Sequence, residues 1–281
     1  MSGTSLINLY PNIGVKKGST KLCGLYSAQY SLSRNIKSIY AYGKTSPVTK
    51  YAELPNIELS YAQYLDAAGN FDPQEFNSES KLELIIRDST VVCDKAVLSR
   101  LSYSFGIDGP FLVTKTYTGY TKSPAGSGSP NCTGSAPRVF KRQDYKGSVP
   151  PGINAEALTS VTVDISVNRE TIPEFATRKP YGVYVAFPVT TSIKYEAYTK
   201  GADSYVLDMM KNACGDPDMG SYTLSANACG VGITVNNAFL TDLSYSGAEA
   251  SKGSSPQIVS VTFTSFETYP GIKPVVLFSD S

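Results

Sequence analysis

The chain has 281 residues, with 25 Lys and Arg against 24 Asp and Glu for a formal net charge of +1. That balance excludes a dominant basic nucleic-acid surface, and the 41% apolar content excludes an intrinsically disordered chain. Histidine is absent, which removes Ser-His-Asp and Cys-His catalysis and all His-ligated metal sites.

In chain order, residues 1–20 place Gly, Pro, Asn and Ser between small apolar patches and read as an extended arm. They lack the basic n-region and apolar h-region of a secretory signal. No run approaches 18 apolar residues, so no membrane-spanning helix is expected. Leu22 to Ser33 reads as a strand. Arg34 to Tyr42 has weak helical spacing and stops at Gly43. Strands follow at Tyr51 to Leu54 and Ile57 to Tyr64, then a loop over Asp66 to Ser80 with room for one helical turn. Leu82 to Ile86 and Thr90 to Cys93 read as short strands. Ala96 to Ser104 and Phe111 to Tyr120 form a hairpin with Asp108-Gly109-Pro110 as the turn. Lys122 to Pro137 is rich in Gly, Ser and Pro and reads as a linker. Beyond it, Val161 to Val167 alternates as a strand, Ile172 to Thr177 gives a short helical turn, and Tyr181 to Phe187 and Thr191 to Tyr198 are strands around Pro188. Asp203 to Ala213 is the best helix, capped by Asp203 and stopped by Gly215. Strands at Tyr222 to Ala226 and Gly232 to Val235 lead into a hairpin of Phe239 to Tyr245 with Ile258 to Phe266. An apolar strip at Val275 to Phe278 is suited to joining a sheet edge.

The chain repeats itself. Ser27 to Tyr64 follows the plan of Ser160 to Tyr198: Ser27 falls on Ser160 and Asn35 on Asn168 at one offset, and Tyr61 and Tyr64 fall on Tyr195 and Tyr198 after a single insertion. Ala96 to Ser104 matches Ala238 to Ser246, with six of nine positions identical. Leu112 to Tyr120 matches Ile258 to Phe266. The offset grows along the chain where copy two carries longer loops, because loop closure tolerates insertions. Units of this length are tandem domains rather than a solenoid. The alternative is two unrelated β-domains of similar composition. The expected division is an arm at 1–20, a domain at 21–121, a linker at 122–154, a second domain at 155–269 and a tail at 270–281.

No residue set stands out as catalytic, cofactor-binding or metal-binding. Glu170 and Glu174 would share a helix face at i,i+4 and read as a solvated turn. Asp216, Asp218 and Gly220 resemble part of a calcium loop but lack its remaining acidic ligands. Gly230 and Gly232 do not make a dinucleotide fingerprint, and Ser123 to Gly134 lacks the Lys-Ser/Thr of a P-loop. Arg138, Lys141, Arg142 and Lys146, with Lys122 upstream, read as a solvated basic turn, with phosphate contact as the alternative. The sequon at Asn131 matters only in a secretory pathway. The five cysteines, Cys23, Cys93, Cys132, Cys214 and Cys229, are an odd number without a CxxC pair and are expected to be buried free thiols, with one or two disulfides as the alternative. The 20 tyrosines suit strand packing, or alternatively aromatic faces for sugars. A duplicated β-domain with no catalytic set and many strand edges points to assembly.

Asn168 to Ser192, NRETIPEFATRKPYGVYVAFPVTTS, resembles structural proteins of bacteriophage tail modules. The shared plan is a strand, Asn168-Arg169-Glu170, a short helical turn, the Pro180-Tyr181 loop, and Phe187-Pro188 before the next strand. Copy one keeps Arg34-Asn35, Tyr42-Gly43 and Leu54-Pro55 but not the Glu or the Phe. The resemblance covers both halves. It implies a mainly β chain of two tandem tail-tube-like sandwich or barrel domains, each with a short flanking helix. It further implies a non-enzymatic virion tail tube protein, made in the host cytoplasm. Homotrimers would form pseudo-hexameric rings that stack into a conduit. The implied partners are tape-measure protein, baseplate and terminator proteins, with or without a sheath, and DNA that passes without specific binding during ejection. Baseplate, neck and tail-terminator proteins look similar and form single rings. A carbohydrate-binding β-sandwich on a particle or cell surface is the competing class.

Overall fold

The computed structural model describes residues 13–34, 36–53, 55–65, 73–86, 89–119, 121–123, 140–150, 153–173, 180–198, 221–228, 231–246, 258–266 and 272–278. Its strands, in chain order, are β1 (Ile13–Lys17), β2 (Thr20–Lys21), β3 (Leu25–Ser33), β4 (Ile36–Ile39), β5 (Thr49–Ala52), β6 (Asn56–Tyr64), β7 (Ser80–Ile86), β8 (Ser89–Gly106), β9 (Leu112–Gly119), β10 (Thr121–Ser123), β11 (Leu158–Pro173), β12 (Pro180–Tyr198), β13 (Tyr222–Ala228), β14 (Val231–Ser246), β15 (Ile258–Ser265) and β16 (Val275–Leu277). The mainly β expectation is met, and among the described residues there is no helix of seven or more residues.

Eight of these strands form the organising sheet. Their spatial order is β3-β6-β9-β8-β11-β12-β15-β14, antiparallel throughout. Period-two alternation gives the sheet one apolar and one polar face. In β11, Val161, Val163, Ile165 and Val167 are buried while Thr162, Asp164 and Ser166 lie half-buried between them. A second layer covers the apolar face. In the first half it comprises β2, β1, β7 and the opening stretch of β8. In the second it comprises β13 and the opening stretch of β14, with residues 145–148 hydrogen-bonded along β13. Strands β8 and β14 therefore pass from one layer to the other, a corner that sandwich folds make at a bulge.

The two halves repeat each other pair by pair. Leu98 opposes Tyr117 and Arg100 opposes Thr116 across a bulge; Leu240 opposes Phe263 and Asp242 opposes Thr262 across the same bulge. The bulge between Leu25 and Ser27 recurs between Leu158 and Ser160. At the layer-switching corners the bulge holds Lys95 at φ 54° and Asn237 at φ 48°, each immediately before the Ala (Ala96, Ala238) that opens the matched stretch. A left-handed backbone at a non-glycine residue is uncommon, so its recurrence ties the corner to the fold rather than to local sequence. The halves do not keep separate interiors. One core cluster runs from Val15 to Ile272 and contains residues of both.

A carboxylate fixes the floor of the first half. Glu75 sits in the 3-10 turn Pro73–Asn77, accepts from Lys115 Nζ at 2.6 Å and Tyr117 Oη at 2.7 Å, and pairs with Lys17. Burial is the largest influence on this carboxyl and opposes its ionisation, but the Lys115 and Lys17 ammonium groups overcome it and hold the pKa at about 2. The folded value lies below the ordinary 4.5, so the stabilisation is complete above about pH 4.5 and is lost as pH falls toward 2. Glu75→Gln is expected to cost about 2–4 kcal/mol at pH 7. Denaturant unfolding should show the gap between the two proteins closing below pH 4.5; parallel loss of stability in both would refute the assignment.

Several expectations are corrected. Arg34 to Tyr42 is not helical: Ile36 to Ile39 pairs with Thr49 to Ala52 as a hairpin, and Gly43, at φ +77°, serves its turn. Backbone pairing outweighs the weak i,i+3 spacing there. Ile172 and Pro173 belong to β11 rather than to a helical turn. The helix expected at Asp203 to Ala213 lies outside the described residues, and the flanking helices appear among the described residues only as 3-10 turns. Residues 13–17 of the expected arm form β1, and residues 140–150 of the expected linker pack on the sheet: Phe140 and Asp144 are buried. Both segments are the opening stretch of a repeat, since Ile13 opposes Ile86 and Tyr145 opposes Ala228. Strand β16 forms and joins the β12 edge of its own chain. Cys93 is a buried free thiol, pushed up to about 12 by burial and by Asp94, and its Sγ occupies the space a Cβ on Gly119 would need. Cys23 is disulfide-bonded, contrary to the free-thiol expectation. Odd count and wide spacing carry no pairing information.

Candidate assembly interface

The organising sheet has an internal junction and, among the described residues, two free edges. At the junction, β8 of the first half meets β11 of the second. Tyr103 opposes Val163, Leu101 opposes Ile165, and Arg100 opposes Ser166. On the polar face Arg100 Nη2 donates to Asp164 Oδ1 at 2.9 Å. The apolar side is sealed, with Tyr103 and Leu101 each 1% exposed and Ile165 fully buried.

Among the described residues these edges are β3 and the 239–246 stretch of β14. By the repeat, β3 is the counterpart of β11 and β14 the counterpart of β8. The core-face residues of each edge are therefore those the junction buries. Leu32, counterpart of Ile165, is 50% exposed, and Tyr245, counterpart of Tyr103, is 39% exposed. Tyr30 and Leu243 are half-buried where Val163 and Leu101 are sealed. A strand edge with an uncovered apolar row is a template for another strand. These four residues are the functional candidates that reading the sequence missed. The signal was present, because aligning the two copies places an apolar residue at each position. Which copy keeps its neighbour could be seen only from the pairing order.

The polar face carries mostly Ser and Thr: Ser31, Ser60, Ser102, Ser104, Thr114, Thr116, Thr162, Ser192, Thr262 and Ser244 lie on it in register. Arg169 and Glu170 of the β11–β12 hairpin line a groove beside Glu58 and Arg100. Along the strands paired in register from β3 to β14, the charged residues among those described are Glu58, Arg100, Asp164, Lys194, Glu196 and Asp242. Both cations are ion-paired, Arg100 with Asp164 and Lys194 with Glu196 at 2.6 Å. The Lys194 hydrogen bond keeps the Glu196 carboxyl below its ordinary range.

Of the residues weighed from sequence, Glu170 lies on strand β11 and accepts from the Tyr184 hydroxyl, so the helical pairing with Glu174 does not arise. Glu174, Asp216, Asp218, Gly220, Gly230, Asn131 and Arg138 lie outside the described residues. Gly232 lies in β14, where a Cβ would meet the Ala226 carbonyl oxygen at 2.1 Å, a packing role. Ser123 ends β10. Lys141, Arg142 and Lys146 are exposed, and Arg142 donates to the Glu156 carbonyl. Tyr61, Tyr103, Tyr117 and Tyr195 are core residues.

In comparisons with known proteins, the chain matches no protein-family model and no curated protein.

Proposed function

We propose that the protein is a bacteriophage tail tube protein whose two tandem tube-like repeats build pseudo-hexameric rings as homotrimers, and that the rings stack into a conduit for DNA. One observation carries this reading: the two free edges expose the residues that the internal junction buries. A head-to-tail joint of β14 to β3 of the next copy would repeat the junction and bury both edges. Such heterologous contacts give rings when the rotation closes. The polar face would then line the lumen. Protein–DNA affinity depends on cations that displace phosphate counterions. A hydroxyl-rich face whose two cations are already paired, with four carboxylates, is suited to letting DNA pass.

Negative-stain electron microscopy of purified protein across concentrations tests this. Long tubes with a central channel and a regular ring repeat are expected. Single rings would move the assignment to a baseplate, neck or terminator component, and protein that remains monomeric at every concentration would count against ring assembly.

A further inference from the structure

Among the described residues, the hairpin β4–β5 pairs with no other strand. It forms a separate two-stranded sheet and exposes Ile36, Ile39, Tyr40, Tyr42 and Val48. A lone two-stranded hairpin is marginal in water, and a cluster of exposed apolar side chains marks a contact surface.

Its repeat counterpart shows what such a hairpin does. The turn-proximal parts of β11 and β12, Asn168 to Pro173 paired with Pro180 to Ala186, form the same hairpin in the second half. That hairpin crosses the internal junction and grips the first half. Arg169 donates through Nε to the Leu98 carbonyl at 3.2 Å and through Nη2 to the Phe76 carbonyl. Val183 packs with Val97, Val276 and Phe278 in a small buried cluster of its own. The tail behind it is tied to the first half as well, with Lys273 N donating to Asn77 Oδ1 at 2.6 Å.

The geometry points to the β4–β5 hairpin as a clasp that grips the β14 strand of a second copy of this chain, around Phe239. Phe239 is the counterpart of Val97 in the matched stretches Ala96 to Ser104 and Ala238 to Ser246; Val97 is fully buried beneath the second hairpin, whereas Phe239 is 38% exposed. Ile36 is the counterpart of Arg169, each directly following the matched Asn35 and Asn168. At the outer joint an aliphatic side chain thus replaces the guanidinium and a phenylalanine replaces the valine. The pairing registers place Lys50 where Val183 packs on Val97, so the valine-on-valine contact becomes a lysine stem and ammonium against an aromatic ring, a cation–π pairing. The strand joint beside the clasp has a defined register: Tyr30 opposite Tyr245, Leu32 opposite Leu243 and Ser33 opposite Asp242. The Arg100–Asp164 pair does not recur there, since Asp242 and Ser31 stand in those places. The clasp therefore supplies contact area that the outer joint lacks in charge.

This inference rests on the assembly reading, and site-specific photocrosslinking separates the two. One full-length variant carries p-benzoylphenylalanine in place of Phe239 and another carries it in place of Tyr245. Each is irradiated under assembling conditions, and the adducts are mapped by mass spectrometry. The expected result is an intermolecular adduct from position 239 on residues 36–52 and one from position 245 on residues 28–33. If position 245 reaches residues 28–33 while position 239 gives no adduct on 36–52, the clasp is wrong and the ring joint stands. If neither forms, both fall.

Discussion

Leu32→Asp is expected to abolish assembly while leaving the isolated chain folded. In a single chain the new carboxylate sits on a half-exposed edge, where substitutions change stability by less than about 1 kcal/mol. At a joint that repeats the internal junction it would be sealed as Ile165 is, facing Leu243 of the next copy. The joint would lose the leucine's burial, about 1.5–3 kcal/mol, and would enclose an unpaired charge at a cost of several kcal/mol more. A penalty of about 4 kcal/mol per joint is roughly a thousandfold in each association constant. Inward-pointing charges on edge strands are how soluble β-proteins avoid such joining. Light scattering and electron microscopy should find monomers, with a thermal transition within a few degrees of the parent's. Ile165→Asp is the matched control, because the same chemistry at the internal junction should prevent folding. Tubes from Leu32→Asp at parental yield would remove β3 as a joint.

Strand content was legible because alternation is a local property. Val161 to Val167 and Ile258 to Phe266 announce one buried and one open face, and the strands observed there follow that reading. The repeat was legible for the same reason: its matched stretches survive as pair-by-pair register and as three shared bulges. Two kinds of feature were not legible. The first is how segments reach across the chain. Residues 13–17 and 145–148 resemble loops in composition, yet each pairs with a strand far along the sequence. The second is the contrast between joined and free edges. Tyr103 and Tyr245 sit in nearly identical sequence, and only the order β8-β11 makes one a core residue and the other an edge residue. Where the helix at Ile36 was expected, the i,i+3 spacing of Ile36 and Ile39 outweighed an alternation too short to register.

That contrast gives the second large effect. Tyr103→Ala should destabilise the isolated chain by about 3–5 kcal/mol, the range for removing a large buried aromatic. Tyr103 is 1% exposed, stacks beside Phe105 with centroids 6.3 Å apart, and is flanked in register by Val113 and Val163. In a chain of this size the loss corresponds to a fall in Tm of roughly 5–9 °C. Tyr245→Ala removes the same side chain from the same place in the repeat, where, among the described strands, Val259 flanks it on one side in register. It should cost the isolated chain about 1 kcal/mol or less. Calorimetry in the Leu32→Asp background holds both variants monomeric and makes the comparison direct. In the parental background the order of effects reverses for assembly: Tyr245→Ala should raise the concentration at which rings form at least tenfold, through the outer joint alone. Equal losses of Tm for the two alanine variants would mean that β14 is already covered within one chain. An unchanged assembly threshold for Tyr245→Ala would mean that the sheet does not continue through that edge.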